Sequence, residues 1–338
     1  MLKTITARSP GKLILSGEHA VVYGKPAIAL AINRYAECSI EEGLNPGIFF
    51  NFLNLRYAKS LTLNTLSLLK ERLEDQYSSF LQGKCGIREV LKKPFELLQF
   101  TVTHLLDASR VSVSKGFEIH SVSSIPIGCG MGSSSASVMS TLYVLAKFFH
   151  LEFDTKHFLS LGREAENLQH GRSSGLDLQL ALSGGCLRFE EGRVTTRPLS
   201  FSSFTIVQTG VPASTTGECV EKVSIHFKDE MLKNSFEAVT NNLDKALENR
   251  DNAGLKQCIQ ENHRLLVQIG VVPEKVRSFI SAIEKRGGAA KICGAGAVKG
   301  EQGGVVLVLS DEDISDLVFE FGFSKQIVTP DFKGTHLV

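Results

Sequence analysis

The sequence predicts an α+β protein of two domains, and three observations carry that expectation. The chain has 338 residues, more than one typical domain and enough for two. In its first half, β-type runs lead into segments of helical periodicity. In its second half, one strand-like run precedes four helical segments, and further strands follow them. Apolar residues make up 43% of the chain, so the core needs neither disulfides nor a structural metal.

Taken in order, residues 5–15 and 26–40 read as strands, joined by the compact GEHAVVYGKP, which glycines and Pro26 punctuate. Residues 49–63 alternate weakly and add sheet. Residues 66–81 and 90–106 carry helical spacing around a glycine-containing loop at 83–86. A short strand at 117–123 enters a Gly/Ser-rich turn, and an apolar helix at 136–149 leaves it. The next helix, about 155–169, places Phe158, Leu161, Ala165 and Leu168 on one face behind an Asp154 cap. A polar stretch near 195–203 separates domains 1–200 and 201–338. Beyond it come the strand FTIVQTGV, helices at about 217–228, 232–249, 252–269 and 273–286, strands at 289–293 and 305–309, a helix at 311–321 and a final strand.

Charge and cysteine usage exclude several classes. Lys and Arg number 37 against 36 Asp and Glu, a net charge of +1, which leaves no electrostatic case for nucleic acid or an anionic membrane as the main partner. No two of the seven cysteines stand at CxxC spacing, which argues against a zinc cluster or a disulfide framework and for reduced thiols in the cytoplasm. The N-terminus lacks the apolar stretch of a signal peptide. Residues 119–146 have no charged side chain apart from His120, but Ser, Gly and Pro break their apolar runs well short of the roughly 20 residues a membrane span needs.

Four motifs carry chemistry. The first is PIGCGMGSSSAS (126–137) between a strand and a helix. Alternate glycines Gly128, Gly130 and Gly132 let backbone N–H groups approach an anion, the helix start adds unpaired donors, and Ser133 and Ser134 add hydroxyls. No GK[ST] closes it, so it is not a Walker A loop. The second is PGKLILSGEHAVVYG (10–24), which sets Lys12, Glu18 and His19 near one strand end; each alone could be a solvated charge or a satisfied core group. In the third, EAENLQHGRSSGLD (164–177), Glu166 near a helix end and Asp177 after a loop can divide metal ligation from proton abstraction. The fourth, KICGAG (291–296), contributes Gly294 and Gly296 and is weak by itself.

In this order and spacing, the four motifs resemble those of the GHMP kinase superfamily over nearly the whole chain. PGKLILSGEHAVVYGKPAIALAI resembles the opening of the mevalonate kinases within it, and HGRSSGLD and TGVPASTT resemble two of their later segments. The resemblance implies a ribosomal-S5-like N-terminal domain, a ferredoxin-like C-terminal domain and an active site between them. It implies ATP phosphates on Gly128, Gly130, Gly132, Ser133 and Ser134, Mg²⁺ on Ser134 and Glu166, and catalysis by Asp177 as base with Lys12. Lys12, Glu18, His19, Asp177 and Thr215 would line the mevalonate site. It further implies small-molecule partners and a homodimer. Three departures stand out: Arg172-Ser173 replaces Asn-Pro, Ala213 replaces an arginine, and GAGAVKGEQGG replaces a run of glycines. The alternatives are another small-alcohol kinase, for phosphomevalonate or a sugar, and a non-catalytic binding protein on the same fold. The second would be expected to lack Glu166 or Asp177, and this chain has both.

Overall fold

The computed structural model describes residues 4–199 and 201–338. Two long strands, β1 (Ile5–Ser16) and β2 (Ala27–Glu42), pair antiparallel and form the spine of the first sheet. On one side β2 continues to β5 (Phe117–Ser123), which pairs parallel with β3 (Ile48–Phe52), which in turn pairs with β4 (Tyr57–Leu61). The other half of β2 pairs with β6 (Cys186–Glu190), whose hairpin partner is β7 (Arg193–Arg197). Strand β5 buries Phe117, Ile119 and Ser121 and leaves the residues between them half-buried, the period-2 pattern of a sheet covered on one face. The second half of β1 is buried on both faces, which explains its nearly continuous apolar run.

Helices α1 (Leu63–Leu81), α2 (Glu96–Ala108), α3 (Ser133–Phe148), α4 (Thr155–His170) and α5 (Leu176–Ser183) belong to this first domain. Val138, Leu142 and Leu145 of α3 are fully buried against Phe50, Phe117 and Ile119, which makes α3 its central helix. The sequence predicts helix from residue 90, but α2 begins at Glu96. Pro94 disfavours α geometry in the residue before it. Glu96 Oε2 then accepts from the Lys92 and Lys93 amides at 2.7 and 3.1 Å.

The second domain holds a four-stranded antiparallel sheet of order β11-β8-β10-β9. Its strands are β8 (Phe204–Gln208), β9 (Ala289–Cys293), β10 (Val305–Leu309) and β11 (Ser324–Val328). Between β8 and β9 run α6 (Thr216–Val223), α7 (Glu230–Asn249), α8 (Asn252–Gln268) and α9 (Glu274–Lys285), and α10 (Ser315–Glu320) precedes β11. Strand β12 (His336–Leu337) then crosses back to pair with β1. Sequence reading did not foresee that return, nor α5 and the β6–β7 hairpin. Among the described residues, no helix is long and apolar enough to cross a membrane.

One apolar core serves both domains: Leu13, Leu15, Leu30 and Ile32 of the first sheet meet Ile206, Leu243, Cys293 and Leu307 of the second domain. A charged network reinforces the junction. Asp244 of α7 accepts from Arg188 of β6 at 2.9 Å and from Arg197 of β7 at 2.5 and 3.0 Å. Truncating Asp244 to Ala leaves Arg188 with the Glu190 carboxylate at 3.0 Å and Arg197 with only the Glu248 carboxylate at 3.9 Å, in a largely buried place. Asp244→Ala is expected to destabilise the protein by about 2–3 kcal/mol, measured as a lower urea midpoint. A midpoint equal to that of the wild type would show that the network contributes nothing to the junction.

Candidate active site

The glycine loop lies between β5 and α3 and is pressed against the second domain. Gly128, Gly130 and Gly132 adopt φ of 76°, 80° and 71°, in the left-handed region that favours glycine. A Cβ on Gly130 would sit 2.4 Å from the Cys293 carbonyl oxygen, and one on Gly294 would sit 2.7 Å from Gly130 Cα. The two glycine motifs therefore pack backbone to backbone. No side chain caps α3, so its first-turn N–H groups remain available to an anion in the cleft.

Lys12, midway along β1, reaches three parts of the site. Its amide donates to the Met131 carbonyl at 2.9 Å, its alkyl chain lies over Gly132, and its ammonium donates to Asp177 Oδ1 at 2.5 Å. Asp177 stands in the first turn of α5, after Gly175 at φ 84°. That helix start places positive dipole beside the carboxylate. Arg172-Ser173 does not loosen the preceding loop, because Asn167 Oδ1 accepts from the Ser173 amide at 2.8 Å.

Glu166 is buried on the last turns of α4. Its Oε2 accepts from Ser135 Oγ at 2.8 Å and lies 3.5 Å from His170 Nε2, while its Oε1 is buried without a partner. Ser134 Oγ is 3.5 Å from the same His170 nitrogen. Ser134 and Glu166 thus flank His170, and a carboxylate with one unpaired oxygen together with a serine hydroxyl is a donor set that fits a hard divalent cation. Ser135 and His170 escaped sequence reasoning; the i, i+4 spacing of Glu166 and His170 on one helix face was the signal that could have found His170.

Glu18 and His19 follow β1 in an unusual backbone, with Gly17 at φ 93° and His19 at φ 60°. Glu18 pairs with Lys291 of β9, and both are buried. His19 Nε2 donates to the Ala295 carbonyl at 3.0 Å, and burial lowers the imidazole pKa to about 4, so the ring is neutral at physiological pH. Thr215 lies across the cleft, but its hydroxyl is engaged as the cap of α6 through Glu218. Arg88 in turn donates to Glu218 at 2.5 Å.

A single cavity of about 980 Å³ is lined by every residue anticipated above except Gly296. A Cβ on Gly296 would fall 2.2 Å from the Val271 carbonyl oxygen, so that glycine permits a close backbone contact. Ala213 does not line the cavity either and stands beside Gly300. The cavity lining also includes the apolar side chains Phe52, Leu55, Phe80, Ile87, Leu97 and Ile127, surface suited to a flat aromatic group. Periodicity placed several of these in predicted strands and helices but could not show that they face a cavity.

Comparison with known proteins agrees with this geometry. Residues 96–185 match the family model for the GHMP kinases N terminal domain, and residues 243–317 match that for the GHMP kinases C terminal. The mevalonate kinase of Pyrococcus horikoshii is 31% identical over 312 residues, covering 88% of this chain and 87% of its own length. That of Methanocaldococcus jannaschii is 28% identical and covers 90% and 91%. In fold, the crystal structure of the Methanococcus jannaschii mevalonate kinase superposes with a TM-score of 0.80 over 97% of this chain and 99% of that one, at 23% identity. The chain belongs to the GHMP kinases, ATP-dependent enzymes, and within them to the mevalonate kinase family.

Proposed function

We propose that the protein is a mevalonate kinase, moving the γ-phosphoryl group of ATP to the 5-hydroxyl of mevalonate with Mg²⁺ and supplying an isoprenoid precursor. The observation that carries this reading is the Lys12–Asp177 pair, set in one cavity between the uncapped start of α3 and the Glu18-His19 turn. Seven free cysteines support a reducing, cytoplasmic location.

Phosphoryl transfer demands positioning and charge neutralisation more than covalent chemistry. The N–H groups at the start of α3 and the glycine loop bind the phosphate chain. Ser134 and Glu166 would hold Mg²⁺, which would supply charge neutralisation for the phosphate chain. Asp177 accepts the proton of the alcohol as its oxygen attacks. Lys12, already bonded to Asp177, offers its positive charge to the developing alkoxide or to the transferring phosphoryl oxygens. Glu18 and His19 bind the alcohol from the other side, and apolar side chains of the cavity wall receive the adenine ring.

The direct test is ADP release in a coupled assay with mevalonate, phosphomevalonate, galactose and homoserine in parallel. Mevalonate is expected to be the preferred acceptor, and ADP release with another acceptor alone would overturn the reading. Asp177→Asn keeps the shape of the side chain and its hydrogen-bonding capacity and removes the base; kcat should fall about hundredfold or more while ATP affinity stays close to wild type. Retention of more than about a tenth of wild-type kcat would exclude the general-base role. Glu166→Gln keeps the packing and removes the charge, so activity should require much more Mg²⁺. A Mg²⁺ titration identical to that of the wild type would exclude Glu166 as a ligand.

A further inference from the structure

Lys291 has no role in the mechanism above, yet its placement is costly. It sits in the middle of β9 and is fully buried. Its neighbours along that side of the strand, Ala289 and Cys293, belong to the apolar core shared by the two domains. A lysine there must leave water entirely, a desolvation penalty of several kcal/mol. Replacing a buried ion pair by apolar groups of similar volume is often neutral or stabilising, so fold stability is a poor reason for a charge at this point.

Its partners lie at the catalytic end of β1. The ammonium donates to the Ile14 carbonyl at 2.9 Å and to Glu18 Oε1. Glu18 Oε2 has no partner, although the atom is buried and the residue lines the cavity. The next residue repeats the pattern: His19 Nε2 carries the hydrogen given to Ala295, so Nδ1 of the neutral ring is a bare acceptor, buried and without a partner. A buried acceptor left unpaired costs about 1–3 kcal/mol. Two adjacent ones on residues of the cavity wall are acceptors that a ligand in the cavity can complete.

We propose that Lys291 is a positioning residue for the phosphoryl acceptor, holding Glu18 so that Glu18 Oε2 and His19 Nδ1 accept hydrogen bonds from hydroxyl groups of that acceptor. The inference deepens the reading above and rests on it for the identity of the acceptor. Burial raises the Glu18 carboxyl pKa, and the ammonium groups of Lys291 and Lys12 act against that rise. The groups facing Glu18 are Lys291 and Cys293 from β9 and Lys12 from β1, with His19 adjacent in the chain and His263 of α8 near Lys291. Without the Lys291 charge, Glu18 holds its proton to higher pH and stops accepting.

The test is steady-state kinetics of the full chain carrying Lys291→Met, with mevalonate and ATP varied separately across the neutral pH range. KM for mevalonate should rise about tenfold to hundredfold, the loss of a charge-assisted hydrogen bond, with KM for ATP changed less than about twofold. The acid limb of kcat/KM for mevalonate should also move to higher pH, which a purely structural role for Lys291 would not cause. Equal effects on both substrates with an unmoved acid limb, or no effect on either, would overturn the assignment. Should Lys291→Met fail to fold, the double variant Lys291→Met/Glu18→Gln carries no uncompensated charge. It should keep the raised KM for mevalonate, and a wild-type KM in it would overturn the proposal. A wild-type protein that phosphorylates a different alcohol defeats the mevalonate reading instead, and that alcohol then serves in the same comparison.

Discussion

Lys12 is the residue on which the site depends, because its backbone and side chain are committed to different parts of it. Its amide holds the glycine loop through Met131, its methylenes occupy the space that a side chain at position 132 would need, and its ammonium meets Asp177. The lysine is less than one-tenth exposed while Asp177 is half-buried at the cavity, so the ion pair is partly shielded from solvent. A strand, a loop and a helix start converge on one side chain. The glycine loop and Asp177 are thereby fixed relative to each other, which is what the proposed positioning mechanism requires.

The second domain completes the site through backbone contacts. Cys293 and Gly294 at the end of β9 touch Gly130, and a Cβ on Gly304 would fall 2.8 Å from the Cys129 carbonyl oxygen. Three glycines, Gly130, Gly294 and Gly304, in two distant stretches of sequence therefore serve one close approach of main chains. This accounts for the divergent GAGAVKGEQGG segment: Gly294 faces the loop, Gly296 makes room for the Val271 carbonyl, and Gly304 admits Cys129. The positions between them are not under that constraint and carry Val298, Lys299, Glu301 and Gln302 instead.

Much of this was legible in the sequence, and the part that was not has identifiable causes. The glycine spacing and most of the order of strands and helices follow from local rules of turn chemistry and periodicity, whereas Glu166 and Asp177 are singled out by the resemblance of their segment to the family's. Helix α5 is only eight residues long and largely buried, so it shows no amphipathic period. Strand β12 has two residues and exists only through its pairing with β1, and no pattern within the strand announces it. The ion pair of Glu18 with Lys291 joins residues 273 positions apart, and the hydrogen bond from Ser135 to Glu166 depends on which face of α3 turns toward α4. Such pairings are products of tertiary structure and lie beyond single-sequence reasoning.

The central claim is that Lys12 and Asp177 act as one catalytic unit, and a double-mutant cycle on kcat tests it most directly. Lys12→Met, Asp177→Asn and the double variant would be compared with wild type at saturating ATP and acceptor. Groups that act together do not sum, so the double variant should be no slower than the worse single variant by more than about threefold. If instead the two losses in kcat multiply, Lys12 and Asp177 contribute independently, and the account of the site as a single positioned pair is wrong.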